Sequence, residues 1–383
     1  MEMAANAGLY VHVPFCRRKC PYCSFHSSPP QPADITRFLA ATQAQMRLAP
    51  TWPEVRALTF ATVFFGGGTP SLLPVEALAG LLTEARRLFA FATPEPEITI
   101  EVNPGTIDAA GLSHLRRTGF NRLSVGVQSF DDAELRLLGR IHSAAAAREI
   151  IATARRAGFD NLSFDLMYGL PGQGVDAWQA TLDQAMTLAP VHLSMYELTI
   201  EEGTPFALAT GRGDWLLPGE DEILAMMAAI DSTIGTSDLA RYEISNYAAM
   251  GRECRHNLNY WHNGFYLGLG PGAVSGLDGE RRIAAADLTT FCRAMAAGEP
   301  GWREIERLDR EAAFRETVVM GLRMTAGVTL SHLRQRFGID LPQYYGATLA
   351  RLLDQRLLAL HDGRLFLTGK GLPLANQVMA ELV

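Results

Sequence analysis

Three cysteines near the start of the chain carry the clearest chemical signal. Cys16, Cys20 and Cys23 are three of the five cysteines in the sequence, and they follow a Cys-x3-Cys-x2-Cys pattern. Thiolates are soft ligands that suit zinc and iron–sulfur clusters. A structural zinc ion needs a fourth protein ligand, which His12 or His26 could supply. A cubane iron–sulfur cluster on three cysteines instead leaves one iron open to a small molecule, and we favour this interpretation.

The composition is that of a globular protein with a mildly acidic balance. The chain has 383 residues, of which 48% are hydrophobic and 20% charged, and its formal net charge is -7. The length suits one large α/β domain and a small second one. Non-specific nucleic-acid binding needs an excess of Lys and Arg, so no nucleic-acid partner is expected. No apolar run is long enough to span a bilayer, and no disulfide framework is evident, so we expect a cytoplasmic protein without a transmembrane segment.

Strand and helix patterns alternate six times in the first part of the chain. The predicted strands cover residues 8–15, 62–65, 97–102, 122–128, 162–170 and 192–200. This alternation predicts a parallel sheet, and the absence of G-x-G-x-x-G after the first strand argues against a nucleotide-binding Rossmann sheet. Thr106 is predicted to cap the helix after the third strand. The distinctive residues follow strand ends, where parallel α/β barrels build their active sites.

Three units are predicted from the change of pattern along the chain. Residues 1–240 form a partial (β/α)6 barrel, 241–300 a connecting segment, and 301–383 a helical C-terminal domain. The connecting segment begins with a predicted strand at 242–247 and continues into a motif from His256 to Trp261 and a Gly-rich stretch. The tail has three helices and a hairpin at Asp362-Gly363, a combination that is similar to a winged helix. Because few basic residues lie there, a packing role is favoured over DNA binding.

Several motifs together identify a family. Besides the cysteine loop with Tyr22, they are Phe-Phe-Gly-Gly-Gly-Thr-Pro at 64–70, Glu-Val-Asn-Pro at 101–104, Gly-Val-Gln-Ser at 126–129, the stretch 165–172 and His-Asn-Leu-Asn-Tyr-Trp at 256–261. With them, the chain resembles over nearly its whole length the radical S-adenosylmethionine (SAM) superfamily. Within it, the chain resembles the branch of oxygen-independent coproporphyrinogen dehydrogenases and HemW-type haem chaperones. The resemblance implies a TIM-like partial barrel and a 4Fe–4S cluster on Cys16, Cys20 and Cys23, with SAM on the open iron.

The same resemblance implies a SAM site along the strand ends. The predicted residues are Tyr10, Gly67, Gly68, Thr69, Glu101, Gln128, Arg140 and Asp165. Glycine lets the backbone approach a ligand closely, although a plain turn is the alternative. The carboxylate of Glu101 can accept hydrogen bonds from ribose hydroxyls or an ammonium group, although a solvated strand end is the alternative. Tyr10 and Arg140 rest on the resemblance, because a lone tyrosine or arginine is more often structural.

His256 indicates a second bound molecule besides SAM. A histidine can ligate haem iron while aromatic side chains pack on the porphyrin face. The alternative is a core histidine in an aromatic turn. The H-N-x-x-Y-W stretch of the chaperones implies that His256 binds haem. Val274 stands where the family often has a histidine, so a role tied to that residue is not carried over.

Three features favour a haem carrier over a coproporphyrinogen III dehydrogenase, the alternative function. Phe25 occupies the position of the dehydrogenases' fourth cysteine, only fifteen residues precede Cys16, and the His256 motif marks the chaperones. A radical enzyme that opens the haem ring fits less well, since such proteins tend to be longer. We expect haem as cargo, with an acceptor haemoprotein that can be membrane-bound. The apolar stretch after Trp261 offers a homodimer interface.

Overall fold

A parallel sheet forms the centre of the computed structural model, which describes residues 5–92, 95–277 and 279–383. Its first six strands are neighbours in chain order. They are β1 Ala5–Val13, β2 Leu58–Gly67, β3 Glu97–Val102, β4 Arg122–Gln128, β5 Leu162–Tyr168 and β6 His192–Glu197. The predicted partial (β/α)6 barrel is therefore confirmed, with the bounds of β3 and β4 as the sequence predicts.

Helices connect these strands and cover the outer face of the sheet. They are α1 Pro32–Leu48, α2 Pro53–Arg56, α3 Val75–Leu88, α4 Ala109–Thr118, α5 Asp132–Leu137, α6 Ala144–Arg156, α7 Val175–Thr187, α8 Pro205–Gly211 and α9 Glu220–Gly235. Side chains alternate along a strand. In β5, Phe164 and Leu166 belong to the apolar core with Trp178 of α7, whereas Ser163 and Asp165 hydrogen-bond to each other on the inner side. The inner side of β5 is thus polar.

The start of α4 differs from the prediction. Its cap is Asp108, whose Oδ1 accepts a hydrogen bond from the Gly111 N–H at 2.8 Å. Thr106 is not the cap, because its hydroxyl donates to the carbonyl oxygen of Asn103 at 2.6 Å. That hydrogen bond stabilises the turn after β3 and does not cap the helix.

The large sheet continues beyond β6. The further elements are β7 Leu239–Arg241, β8 Asn246–Ala249, α10 Arg255–Trp261, β9 Phe265–Leu269, β10 Val274–Leu277, β11 Glu280–Ala284, α11 Leu288–Ala296 and β12 Trp302–Arg307. Strand β9 pairs with β1 in parallel. The predicted strand at 242–247 is wrong in its middle, because the buried Glu243 carboxylate accepts the Ser245 N–H at 3.0 Å and forms a bend there. Strand β12 follows residue 300, so the sheet extends past the predicted domain boundary.

The C-terminal residues form a second, smaller core. Their elements are α12 Arg310–Leu322, β13 Val328–Thr329, α13 Leu330–Phe337, α14 Leu341–Asp354, β14 Leu358–His361, β15 Arg364–Leu367 and α15 Ala375–Ala380. The unit packs against the end of α10. The Arg323 guanidinium lies 4.3 Å from the ring centroid of Trp261, and the Asn263 amide donates to the Thr317 hydroxyl at 2.9 Å. In the described ranges, no helix combines the length and apolar character needed to cross a membrane.

Candidate functional site

The cysteine loop follows β1 at the carboxyl end of the barrel. The Cys16 N–H donates to the carbonyl oxygen of Ser28 at 3.1 Å, and the Cys23 N–H to that of Cys20 at 3.2 Å. All five cysteines lie in described parts of the chain and are free thiols. Burial raises the pKa of the Cys23 thiol, and the neighbouring Cys20 and Cys16 raise it further. The three half-buried thiols are therefore close enough to interact electrostatically.

The donors around these thiols fit an iron–sulfur cluster. The Thr69 hydroxyl donates to Cys16 Sγ at 3.5 Å, and Arg140 Nη1 to Cys20 Sγ at 3.7 Å. Over the described residues, no three His, Cys, Asp or Glu side chains gather as ligands of one metal ion would. A cubane attaches each cysteine to a different iron, so its ligands need not converge on one point. Three thiols and two hydrogen-bond donors make this loop suited to a 4Fe–4S cluster.

Two glycines let the end of β2 approach the cysteine loop. Gly67 has a φ of +109°, and a Cβ there would lie 2.6 Å from the His12 ring. A Cβ on Gly68 would lie 2.5 Å from the carbonyl oxygen of Phe15, directly before Cys16. The Gly67 N–H donates to Glu101 Oε2 at 3.1 Å. The predicted glycine run therefore joins β1, β2 and β3 where side chains would not fit.

Two carboxyl groups share the interior of the barrel. Glu101 of β3 and Asp165 of β5 are enclosed by protein but keep part of their surface accessible, as side chains lining a chamber do. Burial, and then the charge of Asp165, raise the pKa of Glu101 to about 8. Burial also raises the pKa of Asp165 to about 6, although hydrogen bonds from Ser194 and Ser124 act to lower it. Near neutral pH the pair therefore carries about one negative charge.

Replacing Glu101 with glutamine is expected to stabilise the ligand-free protein at pH 8 but not at pH 5. The folded-state pKa of about 8 lies above the value of about 4.3 for an unfolded glutamate. The stability linked to this proton is fully present below about pH 4 and is lost as the pH rises through 8. Glutamine stays neutral, and its oxygen can still accept the Gly67 N–H.

Urea unfolding under anaerobic conditions between pH 5 and 8 would measure this difference. The gap in unfolding free energy between Glu101→Gln and wild type should grow by about 1 kcal/mol or more over this range. The exposed Glu202→Gln serves as the matched control. If wild type and Glu101→Gln show the same pH dependence, the raised pKa of Glu101 is refuted.

Arg140 connects the ends of β3 and β4 to the cysteine loop. Its Nη2 donates to the carbonyl oxygen of Gly126 at 2.9 Å and also to Asn103 Oδ1. Gln128 ends β4 with a φ of +67°, a left-handed conformation that is uncommon outside glycine and recurs at functional sites. Asn103 is absent from the predicted site, although it stands in the Glu-Val-Asn-Pro motif. The structure thus adds Asn103 to the group around the cysteines.

Tyr10 lies on the inner side of β1. Its hydroxyl is 3.1 Å from His12 Nδ1, and its ring is 6.2 Å from that of Phe64 and 6.3 Å from that of His256 between centroids. Burial, followed by the charge of Glu101, raises the pKa of the Tyr10 phenol. Tyr10 therefore lies between the strand-end group and His256.

His256 lies away from the cysteines, near the amino end of the barrel. Its ring Nδ1 is 2.7 Å from Thr62 Oγ1 and its Nε2 is 3.0 Å from the Tyr260 hydroxyl. Thr62 precedes Gly67 by five positions in β2, which corresponds to about 16 Å along a strand. Burial and then the charge of Arg122 lower the pKa of His256 to about 3, so the ring is neutral.

The environment of His256 does not support the predicted direct bond to haem iron. The residue is only 1% exposed. Both ring nitrogens already have hydroxyl partners, and an iron ligand would have to give one of them up. The geometry favours the alternative, a core histidine in an aromatic turn. Dependence of haem binding on His256 stays a prediction. In this arrangement His256 would affect haem binding through the residues that it holds in place.

Glu97 anchors the helix that carries His256. Its Oε2 accepts the Arg255 N–H and its Oε1 the His256 N–H, each at 3.1 Å. Gly8, Thr62 and Glu97 are neighbours in register across β1, β2 and β3. A Cβ on Gly8 would lie 2.9 Å from the His256 ring. Three adjoining strands thus hold α10. In the sequence, Glu97 is recognisable only as an acidic residue at the start of a strand.

Comparisons with known proteins agree with this fold and site. The family model of the radical SAM superfamily matches residues 10–185, and that of the HemN C-terminal domain matches 308–374. The chain is 32% identical over 372 residues to the haem chaperone HemW of Bacillus subtilis, covering 96% of this chain and 97% of that protein. It is 36% identical over 383 residues to the haem chaperone HemW of Mycobacterium tuberculosis, covering 98% and 94%. These matches define a radical SAM protein. Within that superfamily, the chain belongs to the HemW family.

A solved structure shows the same fold. Coproporphyrinogen III oxidase (HemN) from Escherichia coli, described as a radical SAM enzyme, superposes with a TM-score of 0.84. The match covers 99% of this chain and 90% of that one, at 24% sequence identity. This likeness concerns the fold.

Proposed function

We propose that this protein is a haem chaperone that carries a 4Fe–4S cluster, binds SAM beside it and delivers haem to an acceptor haemoprotein. The observation that carries the proposal is the likeness to a protein named haem chaperone HemW over 97% of that protein's length. The donor set of Cys16, Cys20 and Cys23, with Thr69 and Arg140 facing two of the sulfurs, supports the cluster. Such a cluster needs a reducing compartment, so we propose the cytoplasm.

The SAM site is proposed to lie along the carboxyl ends of the strands. When bound, the cluster would supply an electron and an open iron for the amino and carboxylate groups of SAM. The residues proposed to contact SAM are Tyr10, Gly67, Gly68, Thr69, Glu101, Gln128, Arg140 and Asp165. The guanidinium of Arg140 suits the carboxylate. Glu101 can donate a hydrogen bond when protonated or accept one when ionised, so it can pair with a ribose hydroxyl in either state.

The proposal excludes coproporphyrinogen decarboxylation as the main activity. Phe25 stands where the dehydrogenases carry a fourth cysteine, and its side chain is 64% exposed. Because this aromatic ring is exposed, it is better placed to contact an apolar ligand or partner than to pack within the cysteine loop. The fold shared with HemN fits either function and does not distinguish them.

Two measurements on the anaerobically reconstituted protein test this proposal. Haem titration followed by absorbance is expected to show saturable binding. Incubation with coproporphyrinogen III, SAM and a reductant is expected to leave the substrate's mass unchanged. A Cys16→Ala, Cys20→Ala, Cys23→Ala protein is the cluster-free control. Loss of two carboxylates from the substrate would establish the dehydrogenase instead, and failure to bind haem would refute the chaperone.

A further inference from the structure

A hydrogen-bonded relay runs between two of the cysteine sulfurs through Thr69 and Asn103, which follow β2 and β3, and Arg140, which follows α5. The Thr69 hydroxyl donates to Cys16 Sγ at 3.5 Å. Asn103 Nδ2 donates to Thr69 Oγ1 at 2.8 Å, and Asn103 Oδ1 accepts from Arg140 Nη2. Arg140 Nη1 in turn donates to Cys20 Sγ at 3.7 Å. The side chain of Asn103 is thus the link between the two donors that face sulfur.

The chemistry of the partners fixes the direction of every bond in this relay. A guanidinium only donates hydrogen bonds, so Arg140 must face the oxygen of the Asn103 amide. The amide nitrogen must then face Thr69, where it donates. A hydroxyl has a single proton, and because the Thr69 oxygen is already accepting from Asn103, that proton is free to point at Cys16.

Space for the Asn103 amide depends on a glycine. A Cβ on Gly126 would lie 2.6 Å from Asn103 Oδ1 and 3.3 Å from Arg140 Nη2. The carbonyl oxygen of the same glycine accepts from Arg140 Nη2 at 2.9 Å. The end of β4 therefore leaves room for the amide and at the same time holds the guanidinium that orients it.

We infer that Asn103 is a positioning residue that aims the Thr69 hydroxyl at Cys16 and thereby raises the reduction potential of the cluster. The inference rests on the proposed function, because it requires the cluster. Reduction adds one electron to the iron–sulfur core, and hydrogen bonds to its sulfurs stabilise the more negative form. Removing the hydroxyl, or turning it away, should make the cluster harder to reduce.

A redox titration of the reconstituted full-length protein, followed by electron paramagnetic resonance, tests this. Thr69→Val keeps the shape of the side chain but removes the donor. Asn103→Asp places a carboxylate oxygen opposite Thr69, so the hydroxyl turns toward it and away from Cys16; because the added negative charge also lowers the potential, the uncharged Thr69→Val is the deciding variant. In both variants we expect the equilibrium constant for reduction to fall about tenfold or more, which is ~59 mV for one electron. Thr69→Ser should restore the wild-type potential.

Ser71→Ala is the matched control, because the Ser71 hydroxyl lies 2.6 Å from that of Thr106 and its loss leaves the relay complete. Unchanged potentials in Thr69→Val and Asn103→Asp would overturn the inference and leave the haem chaperone intact. A Thr69→Ser protein whose potential falls as far as that of Thr69→Val would also overturn the inference, because serine keeps the hydroxyl. A wild-type protein that binds no iron would instead refute the cluster in the proposed function.

Discussion

Replacing Glu97 with alanine is expected to lower the free energy of unfolding by about 2–5 kcal/mol. The carboxylate accepts two backbone N–H groups at the start of α10, those of Arg255 and His256. It also stabilises the charge of the fully buried Arg122, since Glu97 is among the groups that raise the pKa of Arg122. Alanine would leave these N–H groups without an acceptor in the protein interior, at a cost of roughly 1–3 kcal/mol for each.

Urea unfolding monitored by circular dichroism measures this loss. Glu97→Gln keeps one acceptor oxygen but not the charge, so its effect should fall between those of wild type and Glu97→Ala. Glu95→Ala, an exposed glutamate two positions earlier, is the control and should change stability by less than about 0.5 kcal/mol. An equally small effect of Glu97→Ala would show that the cap on α10 does not contribute to folding.

The sequence predicts the parts of the site whose chemistry is local. The cysteine spacing lies within eight residues, and the strands are identified by apolar runs that end in distinctive residues. Because parallel strands end at one edge, Gly67 and Glu101 could be placed together before their contacts were known, whereas the place of Arg140 rested on the family resemblance. In the structure Gly67 donates a hydrogen bond to Glu101, and Arg140 donates to Asn103, a residue that the predicted site did not include.

The contacts of His256 could not be predicted in the same way. Its partner Thr62 is 194 positions away, and Glu97 is 159 positions away. The motif gives residue types at helical spacing, but those types are equally suited to a haem pocket and to a buried helix. The register of β1, β2 and β3 decides between them, and register depends on pairings between distant segments.

The location of α10 connects the barrel to the C-terminal unit. One end of the helix is held by Glu97 inside the barrel. At the other end, Trp261 packs under Arg323, whose carbonyl oxygen accepts the Ile244 N–H at 3.0 Å. A disturbance of the helix would therefore reach both units, so a substitution in the motif can affect ligand binding without touching the ligand.

Haem binding by His256→Ala therefore separates an iron ligand from a positioning residue. We expect this variant to bind haem more weakly and to lose about 3 kcal/mol of stability, because a buried ring is removed and the Thr62 and Tyr260 hydroxyls lose their partner. An iron ligand can be replaced by free imidazole, which would restore the wild-type haem spectrum. A positioning residue cannot be replaced in this way.

Two further variants complete the test, because they keep the imidazole and remove only its partners. Thr62→Val and Tyr260→Phe should weaken haem binding in the same direction as His256→Ala if the histidine acts by holding α10 in place. His361→Ala, an exposed histidine in the C-terminal unit, controls for unspecific haem ligation and should bind as wild type does. If imidazole restores binding to His256→Ala while Thr62→Val and Tyr260→Phe bind normally, His256 is the iron ligand. In that case α10 must open in the haem complex, since the ring can reach iron only by releasing one of its two hydroxyl partners.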